Sequence, residues 1–463
     1  MSYRVLIVLP FLLLTAGCAG VIDNAPINVA LAEQPTLARE KDPSPRIDGD
    51  TAVALTFSGG GTRAAAFAHG AMKALAAVPL RDEPGKTLLD RVAFLSGVSG
   101  GSVAAAYYAY RGPAAVTDFR ERFLLQNVEA SLRTRVTPAN LARAFEGGVN
   151  DRTGLPRWLD EHLLGGATFA DLVDRGYAML WVNASDIYNR NVFIFDQRTF
   201  SVLCSDLGRY PLSEAVAASA AVPIAFAPIL IRNYADRCSW QEPAWVADVL
   251  GTRGGSAVLR AYAEALRRYR NVKLLPNVSL LDGGITDNLG VYGLTVARET
   301  ASAPYQPMQP ASAVRLRNML FVVVDAGRGP EGDWPQRPSG PTGTEIAMAV
   351  ADTLIDANTR NTFDAFNSAM EKWRQELVDY RCRLSSAEVQ RLRGTLRGWN
   401  CRDLNFHVVR IGFDGAEPAL RARLNAIKTA FVLPQDEVDL VIEAAGRLLA
   451  SDPEYRRFLS RLD

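Results

Sequence analysis

A chain of 463 residues that is 48% hydrophobic holds enough apolar material for one large elaborated domain or for two. Its 7 Trp and 19 Phe belong to a packed core rather than to a disordered chain. Lys plus Arg number 51 against 50 Asp plus Glu, a formal net charge of +1. With no dominant basic block, the composition argues against a nucleic-acid partner and against an electrostatic membrane anchor.

The chain begins "MSYRVLIVLPFLLLTAGCAG". Arg4 precedes an apolar run from Val5 to Leu14, of signal-peptide length and too short for a comfortable membrane span. "TAGC" resembles a bacterial lipobox, although Thr15 stands where an aliphatic residue is usual and Leu14 comes one place early. The expectation is a signal peptide over 1–17 and a lipidated Cys18, followed by a Pro-rich tether to residue 50. The protein is then an exported lipoprotein, anchored to a membrane through acyl chains and facing the periplasm. Plain secretion is the alternative. Ala19 is not the aspartate that retains some lipoproteins at the inner membrane, which favours the outer one.

Four cysteines remain: Cys204, Cys238, Cys382 and Cys401. In an exported chain they permit two disulfides in three pairings. The near-neighbour pairing, Cys204–Cys238 with Cys382–Cys401, closes short loops and is the one expected; free buried thiols are the alternative. There is no CxxC, and the 3 histidines are His69, His162 and His407, so no metal site is expected.

At Thr51 the texture changes. "AVALTFSGGG" (52–61) reads as an apolar strand ending in glycines, and residues 62–78 have helix composition. A second unit follows: a strand over Val92–Leu95, a turn at Ser99, and a helix to Gly112. Strand, glycine turn and helix, repeated, predict an α/β fold with a parallel sheet. Residues 113–170 read as mostly helical, 177–196 as two strands about a polar turn, and 212–228 as a helix ended near Pro223. Residues 233–270 read as an insertion with a basic helix. "NVSLLDGGITDNLG" (277–290) returns to strand and turn, and 318–327 is a strand apolar on both faces. A Pro- and Gly-rich loop over 327–343 leads into a largely helical remainder with a strand at 405–413 and a closing helix at 436–450.

The chemistry gathers at three places. Residues 97–101, "GVSGG", form Gly-x-Ser-x-Gly between a strand and a helix, the pattern of a nucleophile elbow that exposes a serine above a sheet. Gly97 and Gly101 are small because neighbouring side chains would clash, and the Gly100 amide points toward a developing oxyanion. A glycine-rich strand-to-helix turn with no chemistry reads the same way in isolation. "SGGGTR" (58–63) offers consecutive amides at a helix start, an anion-binding nest made of Gly59, Gly60 and Gly61, with Arg63 adding positive charge. It lacks the Gly-Lys-Ser/Thr end of a nucleotide loop and the spaced glycines of a dinucleotide site, so no nucleotide is expected. A serine needs a base, and each histidine fits a packing or surface position better than a triad. Asp282 in "LLDGG" ends an apolar strand, with Gly283 and Gly284 allowing close backbone approach; a carboxylate with a raised pKa can serve. A turn aspartate that only caps its own loop is the plain alternative. Asp325 is the rival base, Asp186 a structural carboxylate, and Asn288 a brace for the Asp282 loop.

"FSGGGTR", "GVSGGS", "ASAAVPIAFAP" and "DGGITDNLG" occur in the order seen in the patatin-like phospholipase family, which the chain resembles over 51–330. Residues 428–449 also resemble the tail of bacterial members. The resemblance implies a three-layer α/β sandwich around a mostly parallel sheet, a Ser99–Asp282 dyad, an oxyanion loop at Gly59, Gly60 and Gly61, and no cofactor. The implied activity is cleavage of fatty-acyl esters in a lipid or lysolipid through an acyl-enzyme. A hydrolase of other esters or thioesters, or a catalytically silent lipid-binding lipoprotein, are the alternatives. Ala64 stands where glycine is common. The 230–275 insertion and a helical C-terminal region over 331–463, packed on the catalytic domain, exceed a minimal domain and bear on access and substrate.

Overall fold

The computed structural model describes residues 23–31, 44–81, 83–252, 256–330 and 333–462. The expected signal peptide and Cys18 lie outside these residues. The described residues form one sheet of 8 strands: β1 (Thr51–Phe57), β2 (Val92–Val98), β3 (Met179–Asp186), β4 (Asn191–Phe195), β5 (Ile229–Arg232), β6 (Asn277–Asp282), β7 (Asn318–Asp325) and β8 (Asn405–Gly412). Their order is β5-β6-β3-β2-β1-β7-β8, with β4 also on β3. Strands β3, β2, β1, β7 and β8 are mutually parallel. Strands β4, β5 and β6 pair antiparallel.

The helices that matter for the site are α1 (Gly61–Ala76), α2 (Gly100–Arg111), α3 (Pro138–Phe145), α4 (Leu212–Ser219), α5 (Ala257–Tyr269), α6 (Tyr292–Glu299), α7 (Gly343–Arg383) and α8 (Gln435–Ser451). Every residue of β1 is buried, because helices cover both faces of the sheet. Strand alternation divides its side chains between two cores. Val53, Leu55 and Phe57 face the core built with α1, α2, α4 and α8. Ala52 and Ala54 face the core built with α6 and α7. The result is a three-layer sandwich with a mostly parallel sheet at its centre.

Residues 333–462 are woven into this body. β8 pairs β7 from Asn318↔Asn405 to Asp325↔Gly412. Disulfides join Cys204 to Cys238 and Cys382 to Cys401. Residues 23–31, within the expected tether, are held on the body: Leu31 donates to the Cys204 carbonyl at 2.7 Å, and Asn28 Nδ2 to the Arg232 carbonyl at 2.8 Å.

Two elements differ from the sequence reading. Strand β5 was not anticipated, being short and following directly on a Pro-rich stretch. Helix α4 ends at Ser219, short of Pro223, with Ala220 leaving the helical region at φ −104° and ψ 10°. The segment expected as an insertion buries Tyr262, Leu266 and Tyr269 of α5 in the main core.

Trp373 of α7 is a sensitive test of the second core. It is 2% exposed, packs its ring 5.2 Å from that of Phe406 on β8, and donates its Nε1 hydrogen to the Pro304 carbonyl at 3.0 Å. Trp373→Ala should cost about 3–5 kcal/mol, read as a lowered urea midpoint with an unchanged slope. A loss of less than about 1 kcal/mol would show that α7 is peripheral to folding.

Candidate active site

The register of β3 places the site. β2 pairs β3 up to Val98↔Asn183, and β6 pairs it from Ala184↔Asp282 onward. β4 pairs Val182 to Asp186 and so overlaps both partners, which puts it on the opposite edge of β3. Strands β2 and β6 therefore run toward each other along one edge and stop at adjacent positions. Consecutive β3 residues are about 3.8 Å apart, so the residue after Val98 and the residue ending β6 are forced together. Those are Ser99 and Asp282.

Ser99 occupies a strained backbone position, φ 51° and ψ −125°, at the start of α2. A non-glycine residue there needs support from its surroundings. The Ser99 amide donates to Ser219 Oγ at 2.8 Å, and that hydroxyl donates to the Asn183 carbonyl at 2.6 Å. One hydroxyl at the end of α4 thus ties the elbow to β3. The turn admits no Cβ at its flanks. One at Gly97 would lie 2.5 Å from Ser102 Cα, and one at Gly101 would lie 2.4 Å from the Ser58 carbonyl.

The glycine loop lies against the elbow. A Cβ on Gly100 would fall 1.9 Å from the Gly61 carbonyl oxygen, so the two turns are in backbone contact. The Gly59 amide donates to Asn288, reaching both its carbonyl and Oδ1 at 3.2 Å. This engages the Gly59 donor. Among the described residues, the amides of Gly60, Gly61 and Gly100 show no protein acceptor. They sit at the N-terminal ends of α1 and α2, where both helix dipoles favour negative charge. Arg63 is 3% exposed and donates to the carbonyls of Ala326 at 3.2 Å and Ile427 at 2.7 Å. It fastens the loop to the C-terminal region, as does the Thr62 amide on the Ala430 carbonyl at 2.9 Å.

Asp282 is fixed by its backbone, its amide donating to the Ala221 carbonyl at 2.8 Å and its carbonyl accepting from Ser185 Oγ at 2.7 Å. Gly283 packs against the Asn183 carbonyl, and the Gly284 amide donates to Asp282 Oδ1 at 2.8 Å. Desolvation pushes the carboxyl up to about 6, against the opposing pull of the Gly284 amide and of the Ser99 hydroxyl. Asn288 belongs to the same loop, but its bond goes to Gly59, so it clamps the two loops together.

The other titratable groups are occupied elsewhere. His69 is buried against Phe119 and held down to about 4 by burial. His162 stacks on Trp158, and His407 Nδ1 lies 2.6 Å from Glu454. Asp325 accepts from Arg410 at 2.8 Å and from the Gly327 amide at 2.9 Å. Asp186 accepts from Tyr269 and Asn189. Sequence reading missed Asp287, fully buried and accepting from the Leu289 and Tyr292 amides, which shapes the turn into α6. Its only signal was an acidic residue a few places before a helix start.

A family model described as patatin-like phospholipase matches residues 55–295, just over half of the chain. The chain belongs to the patatin-like phospholipase family. The matched span of this family member includes the glycine loop, Ser99 and Asp282. A search of curated proteins finds no match. Among solved structures it is similar to human GIVD cytosolic phospholipase A2, with a TM-score of 0.36 and 10% identity over 91% of this chain and 63% of that one. VipD from Legionella pneumophila gives 0.34 and 13% over 96% and 72%. The chain thus spans less than two thirds of the length of the human protein.

In this family member Ser219 is 0% exposed, so its loss leaves two buried backbone groups without a partner. Ser219→Ala should lower stability by about 1–3 kcal/mol, measured by chemical denaturation. An unchanged midpoint would mean that the elbow is supported without it.

Proposed function

We propose that the protein is a serine lipid acyl hydrolase of phospholipase A or lysophospholipase type, cleaving fatty-acyl esters through Ser99 and Asp282. The observation that carries this reading is the meeting of β2 and β6 on one edge of β3, which sets a strained serine beside a carboxyl of raised pKa with no imidazole between them. Family membership supports the class of substrate.

Ser99 Oγ attacks the ester carbonyl as its proton passes to Asp282. The Gly60, Gly61 and Gly100 amides receive the tetrahedral oxyanion, each donor worth about 3–4 kcal/mol in comparable sites. Collapse expels the alcohol, which takes the proton back from Asp282, and leaves an acyl group on Ser99. Asp282 then deprotonates a water, whose attack on the acyl-enzyme releases the fatty acid as the departing Ser99 Oγ takes that proton back from Asp282. No metal enters any of these steps.

Ser99→Ala and Asp282→Asn should each reduce kcat/KM on a p-nitrophenyl ester by about 10³-fold or more, and a fluorophosphonate should label Ser99. Near wild-type turnover in either variant would end the assignment. The base works ionised. Its raised pKa therefore sets an acid limb: kcat/KM should fall as pH drops through about 6 and level off above it. A limb centred near the ordinary carboxylate value would assign the base elsewhere.

As to place, we propose an exported, periplasm-facing lipoprotein anchored through Cys18, at the outer membrane. Two disulfides in the described body fit an oxidising compartment. Mass spectrometry of the mature N-terminus tests this; an unmodified Cys18 would overturn it.

A further inference from the structure

We propose that a cleft at the free edge of the sheet, beside the start of β8, is a binding site for a phosphate group, carried by Arg374, Arg457, Arg461 and His407. It lies at the opposite end of the strands from Ser99. The proposal goes beyond the hydrolase reading and does not depend on it.

β8 ends the sheet order, so one of its edges pairs with no strand among the described residues. Its first residues face both layers. Phe406 packs on Trp373 of α7 in the second core. His407, the next residue, turns to the other face and packs its ring 5.5 Å from that of Phe458 on α9 (Pro453–Leu459). Both residues line one cleft of about 460 Å³, which therefore straddles the sheet edge between α7 and α9. β7 and β8 run parallel to β1, so the cleft sits where these strands begin and the glycine loop where β1 ends. That is roughly 20 Å away along the sheet.

The lining is rich in donors and poor in acceptors. Arg374 comes from α7, Arg457 from α9, and Arg461 follows α9, so three guanidiniums reach the cleft from two layers. Arg374 binds Glu371 through Nε at 3.0 Å and Nη2 at 2.7 Å, and among the described residues its Nη1 has no partner. Arg461 is exposed, with neither an ion pair nor a side-chain hydrogen bond among the described residues. Glu454, the one carboxylate in the lining, is already taken by Arg457 and by His407 Nδ1, the latter at 2.6 Å. The Asn405 amide donates to the Arg317 carbonyl at 2.8 Å, toward β7, so strand alternation turns the Phe406 amide off the free edge.

His407 adds an independent sign. It is 4% exposed, and its Nε2 is buried without a protein partner. An unpaired buried polar atom is costly, and a ligand in the cleft that His407 lines can serve it. The occupant follows from this chemistry. A phosphate offers three oxygens to forked guanidiniums, which match it bidentately. It also titrates near neutral pH, so it can accept from a protonated ring or donate its own hydroxyl hydrogen to a neutral one. An ionised carboxylate has fewer acceptors and no hydrogen for a neutral His407. The cleft falls within the roughly 300–1,000 Å³ of small-ligand sites, which leaves room for a small organic group beyond the phosphate.

The test is titration calorimetry on the full-length protein at constant ionic strength, with inorganic phosphate and with glycerol 3-phosphate. At least one of them should bind a single site at millimolar concentration or below. Arg374→Gln with Arg461→Gln should weaken that binding by about ten-fold or more. The same variant should keep the thermal midpoint of the free protein and the rate on a soluble p-nitrophenyl ester. Arg391→Gln with Arg447→Gln, two exposed arginines outside the lining, removes equal charge and should leave binding unchanged. Displacement of the soluble probe by phosphatidylcholine vesicles carrying phosphatidic acid, and not by phosphatidylcholine alone, supports the site with a lipid-borne phosphate as its ligand. Without displacement, tighter binding of glycerol 3-phosphate supports a soluble monoester, and equal or weaker binding supports free phosphate. No binding of either soluble probe overturns the proposal. So does binding that the cleft pair leaves unchanged, or that the control pair weakens equally.

Discussion

The structure depends on one edge of one strand. β3 offers its backbone to β2 up to Asn183 and to β6 from Ala184, and neither partner can extend further without displacing the other. Two chain segments about 180 residues apart in sequence are thereby brought tip to tip. Strand register is set by the pattern of buried side chains and is hard to slip by one residue. A positional tolerance far finer than any loop could supply is thus imposed on Ser99 and Asp282 by ordinary sheet pairing. This suits direct proton transfer, which tolerates little more than a hydrogen-bond length.

Around that junction the backbone does most of the work. The elbow and the glycine loop touch through Gly100 and Gly61, and their helices bring two N-terminal dipoles to the same point. Side chains enter chiefly as clamps. Ser219 holds the elbow to β3, Asn288 holds the Asp282 loop to Gly59, and Arg63 holds the glycine loop to Ala326 and Ile427. Through Arg63 and Thr62, the C-terminal region becomes a structural part of the site. Its strand β8 and helix α8 are built into the sheet and the core behind α1.

What the sequence made legible was local. Ser99 and the glycine loop are each announced by a strand, a turn and a helix within about fifteen residues, and Asp282 by an apolar run ending in glycines. The clamps were not legible, because a side chain bonding to backbone 36 or 229 residues away leaves no periodicity to read. Gly59 shows the same limit: its place in the motif is plain, but only the fold shows that Asn288 already occupies its amide. β5 was hidden by its four-residue length, and α4 appeared too long because apolar composition continues past Ser219, where the helix ends. Residue types marked the place of the site, and long-range contacts decided which of its backbone amides are left without a protein acceptor.

Burial links Ser99, the Asp282 carboxyl and the loop beside them. Ser99 is 5% exposed, and the same exclusion of water that raises the Asp282 pKa strengthens the electrostatic pull of the unpaired Gly60, Gly61 and Gly100 amides. The loop over 220–228 contributes on both of its sides. Inward, its Ala221 carbonyl fixes the Asp282 backbone; outward, it carries Val222 and Ile224 into solvent. One short loop, left-handed at Ile224 with φ 71°, thus fixes the backbone of the buried carboxyl on one side and carries exposed apolar side chains on the other.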